Sequence, residues 1–142
     1  DRTMALMPVA EAYAAVLKDA RALPEEMVAL NDAHHRTLSR DIVALRTQPP
    51  ADMSAMDGYA VRAADAVIGA RLKVIGEVAA GRPFNETIGA GQAAGIVTGG
   101  VVPDGADTVM SKEEASKDGG TVIVNEAVAA GKNMRPAGID FR

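Results

Sequence analysis

The sequence predicts an α+β fold dominated by strands: one amphipathic helix near the N-terminus, followed by short, coiled and bent strands joined by hairpins. Three observations point there. Helical spacing of apolar side chains is clearest over residues 9–22. Beyond residue 45 the chain becomes a series of short β-rich runs punctuated by glycine. The regular alternation of strand and helix that marks a doubly wound sheet is missing.

Taken in order, Val9, Ala12, Tyr13, Val16, Leu17 and Ala20 share one helical face, with Glu11, Lys18, Asp19 and Arg21 on the other. Residues 9–22 therefore read as a helix stopped before Pro24. A short apolar run follows at 27–30, and Asp32 is placed to cap a brief helix through Arg36. Residues 41–45 return to extended chain. Strands are expected at 59–62, 71–78, 92–97, 108–112 and 121–125, with one helical turn at 65–68. Gly119-Gly120 suits a tight hairpin turn, because glycine adopts positive φ without strain. Gly89 and Gly91 flank a second turn, while Glu113-Glu114 and Lys117-Asp118 read as a solvated hairpin rim.

Composition excludes several functions. Phe84, Phe141, Tyr13 and Tyr59 are the only aromatic residues, so the core is aliphatic and no platform exists for stacking nucleobases. A net charge of −4 argues further against nucleic acid, whose phosphates need a basic stripe. The absence of cysteine removes disulfides and thiolate metal sites and allows a reducing cytoplasm, the expected location. No apolar run approaches the roughly 20 residues of a membrane span, and the 4–9 run, broken by Pro8, is too short for a signal peptide. A start at Asp1 without an initiator Met and a stop at Arg142, directly after a polar motif, point to a fragment of a longer chain.

Three polar cassettes carry the chemistry. The first is Ser54-Ala55-Met56-Asp57-Gly58-Tyr59-Ala60-Val61, entered through Pro49-Pro50. The prolines fix φ and withhold two amides, so the chain arrives extended; Asp57 then stands at the mouth of a strand, beside a Gly58 that lets main chain approach a ligand. The second, residues 96–109, ends a strand in Thr98-Gly99-Gly100, where a hydroxyl meets a candidate nest of amide donors for an anion. It lacks the lysine and spacing of a nucleotide P-loop. The third, residues 131–140, sets Arg135 five residues before Asp140. A guanidinium holds an oxyanion bidentately and aspartate suits Mg²⁺, so the set fits phosphate-type chemistry with a bridging cation. Taken singly, each piece has a plainer reading: Asp57-Gly58 and Asp104-Gly105 are ordinary turn pairs, His34-His35 a solvated helix end, Met53 and Met56 packing.

Together the cassettes resemble the N-terminal half of the MoeA-type molybdenum insertases, the molybdopterin molybdenumtransferase family that includes the gephyrin E domain. The likeness runs through the first helix, residues 33–41, 50–61, 96–113 and 131–140 in family order, with Ser-Ala-Met-Asp-Gly-Tyr-Ala and Thr-Gly-x-x-x-Pro-x-Gly-Ala-Asp-Thr-Val as its most specific parts. The resemblance implies an enzyme that uses Mg²⁺ and molybdate to convert adenylylated molybdopterin into molybdenum cofactor with release of AMP. It implies catalytic roles for Asp57, Thr98 and Asp140, substrate contacts from Ser54, Gly58, Gly99, Gly100 and Arg135, and Mg²⁺ at Asp57 and Asp140. It also implies a helix-containing linker and dimerisation domain (1–45 and 126–142), a β-rich domain carrying the site loops (46–125), and a homodimer formed through the N-terminal region. The pterin-binding domain and the small C-terminal domain of the family are missing from this stretch, so the fragment alone is expected to be inactive. The upstream molybdopterin adenylyltransferase is an implied partner. A non-catalytic dimerisation or partner-docking module of gephyrin type is the alternative. Three positions depart from the family pattern: Met53 replaces an asparagine, Ile139 an acidic residue, and His35 a glycine.

Overall fold

The computed structural model describes residues 6–82 and 84–142, so Met4 and Ala5 of the apolar 4–9 run lie outside the described residues. The chain forms two compact units, Asp1–Ile42 and Val43–Arg142.

In the first unit, helix α1 spans Val9–Leu17 and stops well before Ala22. No side chain caps its start, no basic residue supports its last turn, and none of its residues is buried. A helix this short with no packed face has little to extend it. The Ala20 amide turns back onto the Leu17 carbonyl at 3.1 Å, and the helix ends. The helix expected at 32–36 is a single 3₁₀ turn, Leu30–Asp32, which Asp32 closes rather than caps. His35 then takes φ 62°, the left-handed conformation that a glycine favours and a right-handed helix cannot pass through. Ion pairs Arg36–Glu26 and Arg40–Glu25 tie this segment back on itself.

The second unit holds the strands: β1 Met53–Ser54, β2 Gly58–Val61, β3 Arg71–Val78, β4 Gln92–Ile96, β5 Thr108–Ser111, β6 Ala115–Asp118, β7 Thr121–Val124 and β8 Met134–Arg135. Among the described residues, six of them form one sheet in the order β5-β2-β4-β3-β7-β6, and β1 pairs with β8 in a second, small sheet. All neighbours are antiparallel except β3 and β4, which run parallel across a register shift between Val74 and Gly76. The five expected strands are present to within one or two residues at their ends. The polar β6 and the two-residue β1 and β8 carry no alternation of their own, and pairing partners create them.

Around β2, β4 and β5 the large sheet is covered on both faces. Val61, Leu72, Ala93, Met110 and Val122 pack on one side, and Ala60, Val78, Ala94, Ile96 and Val109 on the other. Successive strand residues point to opposite faces, which is why β5 is buried at every position and reads as an unbroken run. Close packing of backbone matters most at Gly58. A Cβ there would lie 2.0 Å from the Met110 carbonyl oxygen of β5, so the approach that glycine permits is to a neighbouring strand. Gly119, at φ 57°, turns the β6–β7 hairpin over open space.

Glu114 is a correction to the solvated-rim reading. It is buried, and with Ser111 it forms a reciprocal cap: the Ser111 amide donates to its carboxylate at 2.9 Å. Lys132 pairs with its other oxygen. Burial pushes the Glu114 carboxyl up, but Lys132 and the Ser111 donors outweigh it and hold the group below its ordinary value. Residues 126–142, grouped in the sequence with the helix, lie in the second unit, where the Val109 amide donates to the Lys132 carbonyl and β8 lies against β1.

The two glycines predict unequal costs. Gly58→Ala is expected to lose at least ~2 kcal/mol, since a strand must move, and Gly119→Ala about 1 kcal/mol, from φ alone. Urea unfolding followed by circular dichroism measures both, and equal losses would remove the close-contact explanation.

Candidate functional site

Asp57 stands where β2 begins, and the registers of its two neighbours decide what meets it. Gly58 is opposite Ser111 on β5 and opposite Ile96 on β4. One residue earlier, Asp57 therefore falls beside Lys112 on one flank and beside the chain leaving β4 on the other. Both flanks make contact. The Thr98 amide and the Thr98 hydroxyl each donate to Asp57 Oδ1 at 2.9 Å, and Lys112 Nζ lies 3.2 Å from Oδ2. The Thr98 amide contributes most to holding the Asp57 carboxyl below its ordinary value; the Thr98 hydroxyl and Lys112 add to it.

The first cassette is laced between the other two. On one side the Ser54 amide donates to the Gly100 carbonyl at 2.8 Å and the Gly99 amide returns to the Ser54 carbonyl at 2.9 Å. On the other, β1 pairs with β8, and the Ala55 amide donates to the Asn133 carbonyl at 2.9 Å. Asp52 joins both sides: its carbonyl accepts from Val102 and its carboxylate accepts from the Ala137 amide at 2.8 Å. Further out, the Gln48 carbonyl accepts from the Asp140 amide at 3.0 Å, next to a cis Gln48–Pro49 bond. The result is a groove of about 260 Å³ that takes Ser54 from the first cassette, Thr98 and Gly99 from the second, and Arg135 from the third, over a floor including Pro49, Met53 and Ala55.

Within this arrangement the predicted residues divide. Asp57 and Thr98 touch; Ser54, Thr98, Gly99 and Arg135 share the groove; Asp140 is held by Arg135, whose Nη2 donates to both carboxylate oxygens at 2.7 Å. Gly58 is buried against the backbone of Met110 and Ser111, and Gly100 against the Ile96 side chain and the Val97 carbonyl. The expected anion nest is closed, because the Gly99 amide is spent on Ser54 and the Gly100 amide on Val97. Sequence reading missed Lys112 and Asp52. Lys112 looked like the polar end of a strand, and the antiparallel pairing of β2 with β5 is what sets it across from Asp57. Asp52 acts through a bond spanning 85 residues, which no local pattern displays.

The carboxylates expected to hold Mg²⁺ are those of Asp57 and Asp140. Among the described residues no group of three or more His, Asp or Glu side chains is arranged to hold a metal ion. Asp57 faces an ammonium and Asp140 a guanidinium. These two carboxylates do not form a metal site of their own.

Comparison with known proteins agrees in family and fold. A family model described as the MoeA N-terminal region (domain I and II) matches residues 7–142. The molybdopterin molybdenumtransferase of Haemophilus influenzae is 36% identical over 118 residues, covering 82% of this chain and 29% of the relative. That of Bacillus subtilis is 38% identical over 112 residues, covering 75% of this chain and 26% of the relative. The chain thus spans less than a third of the length of these curated relatives. The crystal structure of the molybdopterin biosynthesis MoeA protein from Pyrococcus horikoshii OT3 superposes with a TM-score of 0.83 at 35% identity, over 97% of this chain and 38% of that one. Among the described residues no helix is long and apolar enough to cross a membrane.

The Asp57 contacts predict a titration. Its folded value lies below the unfolded one, so the carboxylate's contribution to stability is present above the unfolded value and is lost as pH falls through the folded one. Carboxyl-carbon NMR of labelled protein should show Thr98→Val and Lys112→Gln each moving the Asp57 midpoint upward. A midpoint unmoved by both would contradict the contacts.

Proposed function

Because the chain belongs to the MoeA family, matching its N-terminal region, we propose that it supplies one wall of the site where molybdenum, brought as molybdate, enters adenylylated molybdopterin and AMP is released. The observation that carries this reading is the shared groove. Side chains from three separated cassettes meet there, one of them cationic, with an ionised carboxylate fastened just behind Thr98.

Arg135 is the oxyanion contact. Its pair with Asp140 is half-exposed on both sides, and an exposed pair of this kind contributes at most about 1 kcal/mol. An incoming oxyanion therefore displaces Asp140 at little cost, and the guanidinium's planar fork offers it parallel donors. Asp57 holds Thr98 in place at the groove wall. Asp57 and Asp140 each face a cation, so neither is assigned to Mg²⁺. Turnover needs the remainder of the enzyme, whose pterin-binding part closes the cleft in this proposal.

Val9, Tyr13, Val16 and Leu17 of α1 are all exposed, and the helix buries nothing within its own unit. We assign this face to homodimer formation.

Two measurements test these readings. In the intact protein, Asp57→Ala and Arg135→Gln are each expected to slow molybdate-dependent AMP release at least about tenfold; unchanged turnover in both rejects the catalytic reading. Sedimentation of Tyr13→Asp/Val16→Asp should show loss of the dimer, and a dimer persisting at micromolar concentration rejects the assignment of α1.

A further inference from the structure

Lys112 belongs to none of the three cassettes, yet it completes the contact between two of them. Thr98 has one hydroxyl proton, and an ionised Asp57 can only accept, so that proton points at Asp57 Oδ1. What Thr98 shows to the groove is its remaining lone pairs. Ser54 is similar: its hydroxyl donates to the Met56 carbonyl at 2.6 Å and accepts the Met56 amide at 3.3 Å. The Gly99 amide is committed as well. The groove is therefore polarised, with an acceptor on the Thr98 wall and a cationic donor at Arg135.

We propose that Lys112 is a positioning residue for this groove: by holding Asp57 Oδ2 it keeps Oδ1 aimed at Thr98, so that the Thr98 oxygen accepts an N–H or O–H from the substrate while Arg135 takes the oxyanion. This rests on the proposed function and adds to it the polarity of one subsite. A donor can come from the ribose hydroxyls of the adenylyl half or from the ring nitrogens of the pterin half. The geometry favours Lys112 acting through Asp57 rather than on the substrate itself, since it lines no part of the groove and its main-chain amide also donates to the Asp57 carbonyl at 3.3 Å.

The test uses the intact enzyme with Lys112→Met, Lys112→Arg, Thr98→Val, Thr98→Ser and the double variant Lys112→Met/Thr98→Val. Steady-state kinetics read KM separately for adenylylated molybdopterin and for molybdate. Equilibrium titrations with AMP alone and with molybdopterin alone identify which half donates. Lys112→Met and Thr98→Val should each raise KM for the pterin nucleotide about threefold to tenfold, the range for one hydrogen bond, and leave KM for molybdate within twofold. Lys112→Arg should retain wild-type values, and Thr98→Ser, which keeps the hydroxyl, should bring KM for the pterin nucleotide back from that of Thr98→Val toward wild type. The double variant should be no worse than Thr98→Val alone, because Lys112 acts through Thr98. A rise in KM for molybdate in Lys112→Met, additive effects in the double variant, or no change in either KM overturns the proposal. If the wild-type enzyme releases no AMP, the proposed function fails by itself, and the titrations still decide this inference: weaker binding of AMP or molybdopterin in Lys112→Met and Thr98→Val supports it, and equal or absent binding overturns it.

Discussion

The close approach of β2 to β5 at Gly58 is the constraint on which the second unit depends. Only a residue without a Cβ leaves room for the Met110 carbonyl, and that fit locks the pairing of Gly58 with Ser111. A slip of one residue would turn Tyr59 and Val61 into the face now filled by Ala60, and both aliphatic clusters would lose their match. The same register sets Lys112 across from Asp57. Core packing and the placement of a surface ion pair are therefore one fact, seen from the inside and from the outside of the sheet.

The site itself is held mainly by backbone. The Arg135–Asp140 pair is half-exposed, and a lone pair of that kind gives weak geometric control. Main-chain hydrogen bonds from residues 52–55 to 99–102 on one side and to 133–135 on the other, with the Asp52 carboxylate on the Ala137 amide, give the control instead. A frame of this kind keeps Ser54 almost fully buried while leaving Thr98 and Arg135 open to a ligand. It also frees the exposed Arg135–Asp140 pair to exchange partners, which the assignment of Arg135 to an oxyanion requires. Glu114 and Lys132 extend the frame, joining the third cassette to the end of β5 through a buried carboxylate.

Much of this was legible in the sequence, and the rest was hidden for physical reasons. Runs such as 71–78 and 121–125 announce themselves through β-branched residues and flanking glycines, and the structure returns them nearly unchanged. Helix α1 was overextended because periodicity records which face is apolar and says nothing of whether that face finds a partner. Glu114 looked solvated because a charged pair beside a hairpin usually is; only the lysine brought from residue 132 makes its burial tolerable. The cassettes could be recognised one at a time. Their convergence in a groove, the spent amides of Gly99 and Gly100, and the roles of Lys112 and Asp52 all depend on long-range pairing, which leaves no local trace. His35 is a middle case: its departure from the family's glycine was visible, and the structure shows the left-handed backbone that the glycine would suit.

The lacing of the first cassette between the other two has a consequence for biosynthesis. As the polypeptide leaves the ribosome, residues 48–57 emerge early with neither flank available, and their hydrogen-bonding groups stay satisfied by water. The 98–102 flank arrives some forty residues later, and the last one only when residues 133–141 have been synthesised. Non-local strand pairing over such separations is slow compared with forming a local hairpin such as β6–β7. The residues of the hairpin are thus complete before those of the groove, and the nascent chain can acquire its ligand-facing surface only once the third cassette has been made.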